Sequence, residues 1–216
     1  MFTGLFTPTN IAELVAFVAA LVFLNKNSGI CQVFKLILLI TLLAEFTGWI
    51  LAWKLYRPNG WVFNSLLGIN SSFIVFILFQ RLNYKYKDKV LIAIISLIII
   101  STLVTLVFLD GITIYNRLME ITIDLGLAIL CCIVLYQMLL TEKNRSFYAF
   151  EYFWLVNGVL VYSLGSAVLY VSHPYLGVYQ QESGIQLAQY INDTLNIILY
   201  ASYIIAFICR WKHNKS

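Results

Sequence analysis

Five carboxylates stand within stretches that are otherwise apolar: Glu13, Glu45, Glu120, Asp124 and Asp193. Three amides accompany them, Asn64, Asn192 and Asn196. An ionisable group in hydrocarbon is costly unless it is paired, neutralised or hydrated, so such groups point to function by default. Spacing gathers these residues. Asn116, Glu120 and Asp124 recur every fourth residue and share one face of a helix. Gln189, Asn192, Asp193 and Asn196 form a second stripe, Thr41, Glu45 and Gly48 a third, and Asn64, Gly68 and Ser71 a fourth. The nearest basic groups are Arg117, one turn from Glu120, and Lys54 and Arg57 at the predicted membrane surface. Carboxylates without a basic partner must be protonated or hold a cation, whether a proton, a metal ion or an organic amine. The bland reading of the same residues is hydrogen bonding between helices, with no ligand. The candidate ligand-binding set is Glu45, Asn64, Glu120, Asp124, Asn192, Asp193 and Asn196.

The elements that must position these groups are membrane helices. Of the 216 residues, 61% are hydrophobic and only 11% charged. Mean hydropathy is +0.85. Soluble domains carry about 25% charge, so composition excludes an ordinary soluble protein, a disordered chain and a nucleic-acid-binding module. A spanning helix needs roughly 20 apolar residues. Seven such stretches are read at 8–25, 33–53, 60–80, 89–109, 116–140, 151–172 and 185–209. The expected fold is an all-α, polytopic membrane protein, a single domain over 1–216 built as a seven-helix bundle. Loops are expected at 25–32, 54–59, 81–88 and 173–184, with all three prolines at helix ends or in loops.

Basic residues set the expected orientation. With the N-terminus outside, the inner side holds Lys26, Lys35, Arg81, Lys85, Lys87, Lys89, Lys143, Arg145, Arg210, Lys212 and Lys215. The outer side holds only Lys54, Arg57 and Arg117. This split predicts N-out and C-in with an odd number of spans. The first ten residues lack Lys and Arg, which favours a retained first helix over a cleaved leader. With alternating helix directions, the acidic groups all fall in the outer half. Glu45, Asp124 and Asp193 sit roughly 12 Å below the outer edge. The expectation is an outward-facing acidic cavity lined by helices 2, 3, 5 and 7, with helix 1 at its rim. Helix 4, with no charge between Val90 and Leu109, should be the most lipid-exposed. The run from Arg81 to Lys89 reads as an anchor on anionic lipid at the inner surface.

Several chemistries are disfavoured. A retinal protein needs a Schiff-base lysine in the last helix, and 185–209 has none. The chain's two histidines, His173 and His213, lie outside the predicted spans, so a serine nucleophile lacks its base and an intramembrane zinc hydrolase lacks its ligands. A metal site from His173, Glu182 and a cavity carboxylate is conceivable, but a lone histidine before Pro174 reads as a loop residue. No cofactor motif is present, the metal content is open, and no enzyme is expected. Helix 3 ends Phe79-Gln80-Arg81-Leu82 and helix 7 has no proline, unlike G-protein-coupled receptors.

Glu45-x-x-Gly48 in helix 2, followed by Trp61-Val62-Phe63-Asn64 at the start of helix 3, resembles a group of small uncharacterised seven-helix bacterial membrane proteins. The likeness in layout covers most of the chain. It implies the plasma (inner) membrane of a bacterium and no particular activity. The functional expectation is a sensor or receptor-like subunit. It would bind a small cationic ligand or protons from outside and signal through a separate membrane or cytoplasmic protein. The alternatives are a small transporter of 3+1+3 type and a structural or assembly subunit of a membrane complex. Partners are therefore the bilayer, anionic lipid and another protein, with no nucleic acid.

Overall fold

A computed structural model describes residues 7–24, 29–141 and 150–213. It contains seven α-helices in the order α1 (Pro8–Phe23), α2 (Gly29–Trp49), α3 (Gly60–Phe79), α4 (Lys87–Phe108), α5 (Arg117–Thr141), α6 (Glu151–Ser183) and α7 (Leu187–His213). A π-helical turn, Ile50–Lys54, extends α2. Among the described residues there is no strand. Six of the helices are long and apolar enough to cross a membrane, and α1, with 16 residues, is a shorter apolar helix. The chain is thus an all-helical membrane protein. Lys26, Lys143, Arg145 and Lys215, used above for orientation, and residues 25–28 of the expected first loop lie outside the described residues.

Local sequence explains the helix ends. Thr7 caps α1, its Oγ1 accepting the Asn10 N–H at 3.2 Å, and Pro8 occupies the first helical position. Asn116 caps α5 by accepting the Met119 N–H at 3.1 Å. Gly184 closes α6 in the left-handed conformation, φ 72°, which a residue without Cβ adopts freely.

One expectation fails here. Residues 173–183 are not a loop, and Pro174 lies inside α6. The helix runs on past the predicted span by about ten residues, roughly 15 Å. Proline costs a helix the hydrogen bond to the carbonyl four residues earlier, and it reads as a boundary in sequence. Here the polar stretch after it continues the helix until Gly184 provides a true stop. The connection from α6 to α7 shrinks to residues 184–186.

Close packing follows small residues. α1 lays Ala16, Ala19 and Ala20 into the core, between α2 and α7. α6 and α7 approach closely where Gly158 faces Ser202, and α3 meets α4 where Gly68 faces Thr102. α4 buries only Ile98, Thr102 and Thr105, so the rest of its surface is left for lipid.

The two ends of the bundle differ. At one end Arg210 pairs with Glu151 at 2.8 Å, Arg81 lies 4.0 Å above the Tyr152 ring, and Trp211 packs edge-on against Phe23. These contacts bring together the starts and ends expected of helices that alternate in direction. The opposite end carries Thr9, the loop from Leu109 to Asn116, and the first turns of α7.

Candidate functional site

A cavity of about 340 Å³ lies within the bundle, and residues of that opposite end help to line it. Its wall runs from Thr9, Tyr115 and Asn192 to Ser163 and Tyr203. Along α7 alone, from Asn192 to Tyr203, this is a depth of about 16 Å.

The α5 wall supplies the most buried charge. Glu120 and Asp124 are one turn apart and only 4% and 3% exposed. The hydroxyls of Tyr115 and Tyr170 face the Glu120 carboxyl, and Ser166 faces Asp124. One oxygen of each acid, Glu120 Oε2 and Asp124 Oδ2, is buried with no hydrogen-bond partner. The α2 wall carries Glu45, one turn from Thr41. Thr41 donates to the Ile37 carbonyl at 3.0 Å and accepts the Asn70 amide at 3.2 Å. That leaves the Asn70 Oδ1 atom buried and unpartnered on the α3 wall. On α7, Asn196 donates to the Asn192 carbonyl at 2.9 Å, and both residues line the cavity.

The seven candidate residues thus divide. Glu45, Glu120, Asp124, Asn192 and Asn196 share the cavity wall. Asn64 does not reach it. Its amide donates to the Gly111 and Ile114 carbonyls at 2.7 and 2.9 Å, and its Oδ1 accepts the Asn116 N–H at 3.0 Å. It braces the loop that holds Tyr115. Asp193 turns to α1 and accepts the Thr9 hydroxyl at 2.7 Å, clasping the two helices beside the cavity mouth. Glu13 is 1% exposed on α1, beside Glu45, with neither carboxylate oxygen partnered. Gly48 and Phe63 of the Glu45-x-x-Gly48 and Trp61–Asn64 segments pack together, since a Cβ on Gly48 would lie 2.7 Å from Phe63 Cζ.

Helix α6 is an unexpected wall. It contributes Tyr162, Ser163 and Tyr170, while α7 adds Tyr200 and Tyr203 beneath the asparagines. The signal was available: Tyr162, Ser166 and Tyr170 recur every fourth residue and share a face. Attention to charge alone passes over it. Among the described residues, no lysine, arginine or histidine lies on this wall. Arg117 is exposed in the first turn of α5. Among the described residues, no three of His, Cys, Asp and Glu gather as metal ligands, so His173 and Glu182 form no such cluster with a cavity acid.

No protein-family model, curated protein or solved structure matches the chain.

Proposed function

We propose that this chain is the ligand-binding subunit of a membrane sensor, taking a small cation or protons into an outward-facing acidic pocket. The observation that carries the reading is a cavity with Glu45, Glu120 and Asp124 on its wall and, among the described residues, no basic side chain lining it. Buried carboxylates of this kind need a counter-charge or a proton. The basic residues support an outside position for the pocket. Arg81, Arg210 and Lys212 belong to the end away from it, and positive charge marks the inner side. In this reading all seven helices span. The 16 residues of α1 give about 24 Å, and its packing between α2 and α7 supports insertion with them. The membrane is the plasma (inner) membrane of a bacterium, in line with the resemblance carried by Glu45, Gly48 and Trp61 to Asn64.

Signalling would run along α7. This helix carries Asn192 and Asn196 at the pocket and Arg210 at the other end, where Glu151 holds it. A partner protein would read movement of that pair, with the Arg81–Lys89 segment resting on anionic lipid. A transporter is the second reading. Its support is the peripheral position of α4, which leaves α1–α3 and α5–α7 to frame the cavity.

The test is thermal melting of the purified protein with inorganic cations and amines across pH, in wild type and Asp124→Asn. Cation-dependent stabilisation that Asp124→Asn removes is expected. Identical melting curves throughout would overturn the reading. Uptake of a stabilising cation into proteoliposomes would decide for transport over sensing.

A further inference from the structure

The cavity holds its acids as two separate poles. Glu120 and Asp124 form one on α5, one helical turn apart, with the Asp124 charge acting on Glu120. Glu45 forms the second on α2, with Glu13 of α1 behind it. Helices α2 and α5 are on different sides of the space, α2 packing on α1 and α3 and α5 mainly on α6. The same wall includes Leu66, Leu67, Tyr162, Leu199 and Tyr200.

Three of the unmet hydrogen-bonding groups on the wall share a character. Glu120 Oε2, Asp124 Oδ2 and Asn70 Oδ1 can all accept, and as carboxylate or carbonyl oxygens they offer no proton. Ser163, 0% exposed on the same wall, has an unpartnered hydroxyl that can accept as well as donate. A buried acceptor left bare is costly, so the site asks for donors. An ammonium group brings three donors and a positive charge in one small head. Aromatic faces add attraction for such a cation. A bare metal ion would need several oxygen ligands closing on one point, and among the described residues no cluster of three acids forms.

We infer that the pocket binds a linear organic diamine, one ammonium at Glu120 and Asp124, the other at Glu45, its methylene chain lying along the leucine and tyrosine wall. This deepens the cation-binding reading and rests on it. The volume of about 340 Å³ is that of a small-ligand site. Two charged ends held by two poles make binding bivalent, so chain length becomes a specificity determinant: a chain too short reaches only one pole.

The experiment is isothermal titration calorimetry on the full-length protein in nanodiscs. The probes are 1,3-diaminopropane, 1,4-diaminobutane, 1,5-diaminopentane and 1,6-diaminohexane, against butylamine, tetramethylammonium, sodium and magnesium. The expected result is one preferred diamine length, bound about tenfold or more tighter than butylamine, as a second charge-assisted hydrogen-bonded contact would give. Glu45→Gln should bring that diamine to the level of butylamine, while Asp124→Asn weakens both. The comparison of diamine with monoamine in wild type needs no variant, so a variant that fails to fold leaves the test intact. Equal affinity for butylamine and every diamine, or heat from sodium or magnesium alone, overturns the diamine and leaves the cation reading standing. Absence of binding by every probe, with melting curves that no cation moves at any pH, overturns both.

Discussion

Arg210 and Glu151 stand 2.8 Å apart across 59 residues of sequence, joining the last turn of α7 to the first turn of α6. Both side chains are partly exposed, at 20% and 24%. The pair therefore sits at the edge of the bundle, where solvent screens it. A double-mutant cycle with Arg210→Ala and Glu151→Ala, read by thermal melting, should give a coupling of about 1 kcal/mol or less. If the pair also reports the state of the pocket, the cycle should change when a stabilising cation is bound. A coupling of zero in both states would remove this pair from any signalling path.

Thr9 and Asp193 form the corresponding tie at the other end, and it spans from α1 to α7. Thr9→Ala removes the donor and leaves the acid beside the cavity mouth. The expected cost is about 1 kcal/mol, and the first turns of α1 should exchange amide hydrogen faster. Thr9→Ser keeps the hydroxyl and should behave as wild type. Hydrogen exchange read by mass spectrometry separates the two variants.

The sequence reads Asn64 as a ligand residue, and the reason lies in what sequence can carry. The periodicity of polar positions was legible, and it correctly places Glu45, Glu120, Asp124, Asn192 and Asn196 around one space. Helix existence was legible too, because seven apolar stretches map onto seven helices. Periodicity gives the face of a helix, but it does not say whether a loop 50 residues away will turn back and occupy an amide. Gly111, Ile114 and Asn116 do so here, and they take every hydrogen-bonding direction that Asn64 uses. The tyrosines were missed for a related reason. Their type is at home in any membrane core, and only the α6 stripe of Tyr162, Ser166 and Tyr170 marks them as a wall. Pro174 misled because a proline speaks only for its own backbone, while the stop was supplied ten residues later by Gly184.

The Asn64 brace makes its own prediction. Asn64→Ala would leave two carbonyls and one N–H without their side-chain partner in a partly buried place. The expected loss is about 1–3 kcal/mol. Asn64→Asp keeps the acceptor for Asn116 but loses both donors, so it should be no better. Because Tyr115 rides on the braced loop, either variant should also weaken a cation held near Glu120. Melting and binding must therefore fall together, whereas a direct ligand residue would lose binding with little change in melting.

Two glycines should respond in opposite ways to the same change. Gly158 on α6 faces Ser202 on α7 so closely that an added Cβ would collide with it. Gly158→Ala forces α6 and α7 apart, and overpacking of this kind costs about 1–3 kcal/mol. Gly126 on α5 has open space where its Cβ would go. Gly126→Ala should leave melting unchanged or raise it by up to about 1 kcal/mol, since alanine is the better helix former. Equal effects would mean that the α6–α7 approach is looser than its geometry.

Orientation can be fixed without reference to ligand. Ile112, 57% exposed, belongs to the loop at the cavity end, and Tyr84, 38% exposed, to the loop between α3 and α4 at the basic end. Single cysteines are placed at Ile112 or Tyr84 in a background with Cys31, Cys131, Cys132 and Cys209 replaced by serine or alanine. A membrane-impermeant maleimide should label Ile112→Cys in intact cells and Tyr84→Cys only after permeabilisation. The positive-inside rule makes this expectation sharp, because Arg81, Lys85, Lys87 and Lys89 flank Tyr84 while Arg117 is the nearest base to Ile112. The reverse pattern would put the acidic cavity on the inner face. A ligand would then come from the cell interior, and the partner would have to be sought outside.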